Sequence, residues 1–145
     1  MNKFFITLSL AVGGLLYVPA IAQNVAAADA LYKALGEKPG ITLIVDDFVN
    51  RMVADVRIRP MFKNTKLPNL KEQLRDQFCV LSGGPCKYEG DTMKASHAEL
   101  GIDKANFNTA VELLQLAMDG QGVPFREQNK LLALLAPMHR DIITR

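Results

Sequence analysis

The chain has 145 residues, of which 49% are hydrophobic and 7% aromatic, and it contains no tryptophan. This length fits one domain, and the apolar fraction excludes a wholly disordered chain. The 17 basic and 15 acidic side chains leave a net charge of +2 with no basic block. We therefore expect no nucleic-acid partner.

The first 22 residues have the three-part layout of a secretory signal peptide. A positive start and a long apolar stretch precede Pro19, and residues 20–22 match the small-x-small cleavage pattern. We predict a signal peptide over 1–22, export to the bacterial periplasm, and a mature domain over 23–145 that does not insert into the membrane. An uncleaved membrane anchor is the alternative, because the apolar stretch is close to the ~20 residues that a span needs.

The two cysteines are Cys79 and Cys86. In an oxidising compartment they can pair and close a loop of about eight residues. Two free thiols are the alternative, because the distance between the two Cα atoms cannot be read from the sequence.

Apolar residues recur at three- and four-residue spacing in four segments, which predicts four substantial helices. These stripes run through 41–52, 67–81, 107–118 and 131–138. A shorter helix is predicted over 26–35. Because no segment alternates as a strand does, the predicted fold class is all-α.

Several helix ends carry recognisable signals. Pro39 lies at the start of the first long helix, and Pro68 and Pro124 suit the first turns of the second and fourth. Asp103 suits the N-cap of the third. The passage over 87–98 has no clear period and is predicted to be irregular, and irregular passages of this length in compact domains are often functional.

His97 lies at the end of this passage and is the strongest candidate for a residue with a chemical role. A lone histidine is either a metal ligand or an ordinary satisfied or exposed side chain, and its position alone leaves both readings open. The chain has no phosphate-binding glycine loop, no C-x-x-C pair and no two histidines at helical spacing, so a zinc site is not favoured. His139 is interpreted as an ordinary side chain.

Short motifs from residue 30 to about residue 142 carry a family resemblance. In chain order they are Leu31-Tyr32-x-x-Leu35-Gly36, Pro39-Gly40-Ile41, Val45-Asp46-Asp47-Phe48, Met61-Phe62, Gly83-Gly84-Pro85, Tyr88-x-Gly90-x-x-Met93-x-x-x-His97-x-x-Leu100-Gly101-Ile102, Gly122-Val123-Pro124 and Leu134-Leu135-Ala136-Pro137. With these motifs the mature chain resembles the group I truncated haemoglobins.

The resemblance implies a truncated globin, a two-over-two α-helical sandwich that carries haem b. His97 would be the proximal ligand of the iron. A single imidazole leaves the sixth iron position open to a diatomic gas such as dioxygen, nitric oxide or carbon monoxide.

The resemblance also implies the haem contacts. Lys71 and Tyr88 would reach the propionates by charge and hydroxyl donation. The other residues that would enclose the porphyrin are Phe48, Phe62, Leu70, Leu74, Phe78, Met93, Ile102, Phe107, Leu114 and Leu135.

One departure from the family pattern concerns the ligand pocket. In many members a Tyr that donates to dioxygen follows the Phe corresponding to Phe48, whereas this chain has Val49 there. The distal-helix positions are Leu70 and Leu74, which also lack a donor, so Gln77 is the nearest inward candidate, with Gln73 nearer the rim. We predict a distal pocket of Val49, Leu70, Leu74 and Gln77, and faster dioxygen release and easier oxidation than in Tyr-bearing relatives.

These features leave several functions open. Reversible binding of a diatomic gas is the leading hypothesis. A haem-based gas or redox sensor, a haem-transfer protein, and a nitric oxide-detoxifying protein served by a separate reductase are alternatives. Peroxidase chemistry is weaker, because no distal His or Arg is present. A small exported helical module without haem is the remaining alternative.

Overall fold

The computed structural model describes residues 28–145, and within this range every regular element is helical. The predicted signal peptide and the start of the predicted helix over 26–35 lie outside the described residues. The helices are α1 (Ala30–Ala34), α2 (Glu37–Ala54), α3 (Leu67–Leu81), α4 (Met93–His97), α5 (Lys104–Gly120), α6 (Phe125–Leu135) and α7 (His139–Ile142), with 3₁₀ turns at Arg59–Phe62 and Ala136–Met138.

Helix α2 begins a few residues earlier than Pro39 suggests. Gly36 adopts the left-handed conformation (φ 81°) and turns the chain directly from α1 into α2. Pro39 therefore lies within the first turn, where its missing N–H has no intrahelical partner to lose. The buried face carries Ile41, Ile44, Val45, Phe48, Val49 and Met52.

Helix α3 has the predicted bounds, and a glycine turn ends it. Gly83 has φ 88°, and a Cβ built on it would lie 1.8 Å from the carbonyl oxygen of Ala28. Only glycine allows both this conformation and this close approach of two backbones. The amide N–H of Tyr32 also donates to the Ser82 carbonyl at 3.0 Å, so the turn holds α1 against α3.

Cys79 and Cys86 form a disulfide, with their Cα atoms 5.9 Å apart. Of the two states that the sequence left open, the structure has the bridge. It joins the last turn of α3 to the segment that leads towards α4.

We expect this bridge to stabilise the fold by about 2–3 kcal/mol, because a closed loop of about eight residues restricts the unfolded chain. Urea unfolding of the oxidised and reduced wild-type protein would measure the difference. The Cys79→Ala/Cys86→Ala variant, which has no bridge in either condition, is the control. Equal stability of the oxidised and reduced wild type would contradict the expectation.

The passage over 87–98 is not irregular throughout, because its last part forms α4. The hydroxyl oxygen of Thr92 accepts from the Ala95 N–H at 3.2 Å and caps this helix. Five residues are too few to establish a hydrophobic period, so the sequence pattern missed it. Short helices depend on tertiary contacts, and α4 packs against α7.

The last third of the chain contains the two predicted long helices, and the differences from the prediction lie at their ends. Asp103 caps α5, and its carboxylate accepts from the Asn106 N–H at 2.8 Å in a reciprocal capping box. Pro124 is the N-cap of α6 and not part of its first turn. Met138 lies beyond α6 in a 3₁₀ turn that contains Pro137, because proline removes the N–H that the helix would need.

The long helices form the two-over-two arrangement. Helix α2 packs against α3 and α5, and α6 packs against α5 and α3. Between them lies one core, which includes Ile41, Ile44, Val45, Phe78, Leu114, Ala117, Met118 and Leu131. Of the helices in residues 28–145, none has the length and hydropathy needed to span a bilayer.

The C-terminal residues return to the segment that follows α4. The amide groups of Thr144 and Arg145 donate to the Ile102 carbonyl at 2.8 and 3.1 Å. The Arg145 Nε donates to the Gly101 carbonyl at 2.6 Å. Together with α7, these bonds brace the chain on both sides of His97.

Candidate functional site

A cavity of about 650 Å³ opens between α2, α3, α4 and α5. Its volume falls within the range of about 300–1,000 Å³ that is typical of small-molecule and cofactor sites. Its lining is mainly apolar and includes one histidine, His97. The His97 ring is half-buried at the end of α4.

The orientation of His97 is set by its own helix. The ring Nδ1 lies 2.7 Å from the carbonyl oxygen of Met93, one helical turn earlier. A carbonyl only accepts, so this contact places the proton on Nδ1 and leaves the lone pair on Nε2. Metal-ligating histidines are commonly oriented by such a bond. The Ser96 hydroxyl oxygen lies 3.0 Å from the same nitrogen.

Most residues that the sequence assigns to the site are brought together around this cavity. They come from α2, α3, α4, α5, α6 and the segments between them. Those that line it are Phe48, Phe62, Leu70, Leu74, Gln77, Phe78, Tyr88, Met93, His97, Ile102, Phe107, Leu114 and Leu135.

Val49 and Lys71 are not among the residues that line the cavity, so their places at the haem stay predictions. Val49 is completely buried in the core and is not part of the lining. The Lys71 ammonium pairs with the Asp46 carboxylate of α2 at 3.2 Å. Each directly follows a lining residue, and successive residues of a helix point about 100° apart.

Other lining residues were missed by the sequence analysis. Lys66 is the N-cap residue of α3, and its carbonyl accepts from the Leu70 N–H at 3.0 Å, so its spacing from Leu70 could have identified it. Met138 and Ile142 come from the C-terminal segment, and no local pattern connects them with His97.

Several polar side chains also line the cavity, among them Tyr88, Gln73 and Gln77. The Tyr88 hydroxyl donates to the Asp91 carbonyl at 2.8 Å, and burial, with a smaller contribution from the Asp91 charge, raises its pKa. The phenol is therefore neutral at ordinary pH, and its proton is already committed. The Gln73 carbonyl oxygen is buried beside Gly90 and has no hydrogen-bond partner among the described residues.

The Gln77 amide is in a different position. It is 8% exposed, and its Nε2 lies 3.5 Å from the Met93 sulfur and 3.7 Å from the Met138 sulfur. It faces inward as the sequence analysis predicted, and its donor group meets thioethers.

The cavity suits the iron of a porphyrin better than a bare metal ion. Within residues 28–145 no three His, Cys, Asp or Glu side chains gather to hold a bare metal ion. A single imidazole nitrogen in an apolar cavity suits a porphyrin-bound iron. The cationic Lys66 on the lining suits the carboxylates of such a group.

Comparisons with known proteins agree with this geometry. Residues 30–144 match the family described as bacterial-like globin. The chain is 29% identical over 115 residues to the group 1 truncated hemoglobin GlbN of Mycolicibacterium paratuberculosis, a match that covers 79% of this chain and 85% of that protein. It is also 29% identical over 121 residues to the group 1 truncated hemoglobin GlbN of Synechocystis, covering 79% and 98%.

Solved structures give the same answer for the fold. The truncated hemoglobin of Tetrahymena pyriformis in its Fe(III) form superposes with a TM-score of 0.76 at 25% identity, covering 79% of this chain and 98% of that chain. The 2/2 hemoglobin of Synechococcus, with covalently attached heme, has a TM-score of 0.74 at the same identity and coverage. This chain therefore belongs to the bacterial-like globin family, among the truncated haemoglobins, and its cofactor is haem b.

Proposed function

We propose that this globin reversibly binds a diatomic gas at a five-coordinate haem whose iron is held by His97 alone. His97 is the observation that carries the proposal, because it lines the cavity with its Nε2 lone pair available. The second histidine, His139, is exposed, and its Nδ1 lies 2.9 Å from the Ala136 carbonyl. A five-coordinate haem iron supplies an open position at which dioxygen, nitric oxide or carbon monoxide binds.

The cavity side chains on α2, the 3₁₀ turn and α3 determine how such a ligand is held. Phe48, Phe62, Leu70, Leu74 and Phe78 offer only apolar surface and exclude water. The Tyr88 proton is committed to Asp91, and the Gln77 amide faces two sulfurs. Dioxygen, which gains from a donor, should therefore leave this pocket faster than it leaves a relative with a donor Tyr.

The absorption spectrum of the ferrous protein loaded with haem tests the proposal. We expect a five-coordinate high-spin spectrum that changes on addition of carbon monoxide, nitric oxide or dioxygen. Stopped-flow mixing would give the three dissociation rates. A six-coordinate ferrous spectrum without added ligand would contradict an open iron position.

Nitric oxide detoxification is a second candidate for the same site. An apolar pocket suits nitric oxide, but repeated turnover consumes electrons that this domain does not generate. A separate reductase is the partner that this candidate requires. Turnover of nitric oxide with an added reductase would support it, whereas ligand-linked structural change without turnover would favour a sensor.

We also propose that the chain is exported and that residues 1–22 are removed. The tripartite N-terminal sequence supports this, and a bridged Cys79–Cys86 pair is typical of oxidising compartments. N-terminal sequencing of the periplasmic protein should begin at Gln23. Recovery of the full-length chain in the membrane fraction would indicate a retained anchor instead.

A further inference from the structure

A buried amide links three parts of the cavity wall. The Gln77 Nε2 on α3 lies within 3.7 Å of two sulfurs, that of Met93 in α4 and that of Met138 after α6. Gln77 is only 8% exposed, so water does not replace these partners. Three segments far apart in the sequence therefore meet at one side chain.

These contacts are chemically unusual. A thioether is a weak acceptor, and a buried N–H normally finds an oxygen. A Leu at this position would fill the same space without burying a polar group. Burying the Gln77 amide therefore costs free energy of folding. A role in orienting Met93 and Met138 would explain why an amide stands at this position.

Met93 is directly connected to His97. Both lie in α4, and the Met93 carbonyl accepts from the His97 Nδ1 at 2.7 Å. Met138 leads directly into α7, which packs against α4. Gln77 therefore contacts Met93 at the start of α4, the helix that ends at His97. It also contacts Met138, directly before α7, which packs against α4.

We propose that Gln77 is a positioning residue for His97, which acts by fixing Met93 and Met138, and is not a donor to the gas ligand. The inference rests on the proposed function, in which His97 holds the iron. Through Gln77, helix α3, which carries most of the apolar ligand pocket, is coupled to the orientation of the imidazole on α4.

The Gln77→Leu variant tests the proposal, because it keeps the volume and removes the donor. We expect the iron–histidine stretching band of the ferrous protein to shift and broaden, and haem to dissociate roughly two- to tenfold faster, the range for losing one buried hydrogen bond. In the apo-protein, ¹⁵N NMR should show a less uniform His97 tautomer.

The Met93→Leu variant and the double variant complete a thermodynamic cycle. Leu in place of Met keeps the side chain apolar and of similar volume, so Met93→Leu carries the test if Gln77→Leu fails to fold. Each single change should produce the same shift, and the double variant should add little to it. Gln115→Leu makes the same change in α5 at a residue outside the cavity lining, and it should leave the band unchanged.

Three results would overturn the proposal. One is additive effects in the cycle, which would mean that Gln77 and Met93 act independently. Another is an unchanged band in either single variant. The third is faster dioxygen release in Gln77→Leu with the band in place, which would make Gln77 a ligand donor. A wild-type protein without any iron–histidine band would instead contradict the proposed function.

Discussion

Replacing His97 with glycine is expected to remove the protein's own ligand to iron and with it the five-coordinate spectrum. No other histidine lines the cavity. Outer-shell changes at metal sites cost up to about a hundredfold in affinity, so loss of the ligand itself should exceed that in haem affinity. The fold should persist, because the ring is only half-buried and lies outside the main core.

Addition of free imidazole distinguishes loss of the iron ligand from loss of the fold. It should occupy the space left by the side chain of His97→Gly and restore the spectrum, whereas a variant that had unfolded would not respond. His139→Ala is the matched control, because that ring lies outside the lining and should be dispensable. Retention of the native spectrum in His97→Gly without imidazole would refute the ligand assignment.

The second large effect concerns Leu74. The Leu74→Gln variant places an amide donor in an otherwise apolar part of the cavity, and dioxygen develops negative charge when it binds a ferrous iron. A hydrogen bond to a charged group is worth about 1.5–3 kcal/mol, so dioxygen release should slow by at least about tenfold. Carbon monoxide release should change much less.

Leu74→Met is the control for this change, because it alters the shape of the side chain without adding a donor. Equal dioxygen release from the Met and Gln variants would mean that pocket shape, and not hydrogen bonding, controls the rate. Val49→Tyr is not an equivalent test, since Val49 is fully buried outside the cavity lining and a Tyr there would overpack the core.

The scarcity of aromatic residues has a structural explanation. Phe48, Phe62, Phe78 and Phe107 all line the cavity, whereas Phe125 is 69% exposed. The large side chains of the described region are thus concentrated around the haem site. We infer that the core is completed by the porphyrin, and that the apo-protein packs less tightly than the loaded one.

The positions of the long helices could be predicted from the spacing of apolar residues and from the residues at the helix ends. The bounds of α3 and the capping box at Asp103 follow from contacts within a few residues of one another, and such contacts are written in the local sequence. The lining residues Leu70, Leu74 and Phe78 follow in the same way, because they share one face of a helix. The family motif around His97 added the ligand assignment.

Contacts between segments that are distant in the sequence decided helix α4 and the surroundings of individual side chains. Helix α4 is too short to have a pattern and depends on its packing against α7. Lys71 was assigned to the site by its charge and Val49 by its place in the family pattern, and each lies about 100° around its helix from a residue that lines the cavity. Whether Gln77 serves the ligand or His97 depends on where Met93 and Met138 lie. That is settled only when α3, α4 and the C-terminal turn pack together, because a side chain acts on whatever the fold places within its reach.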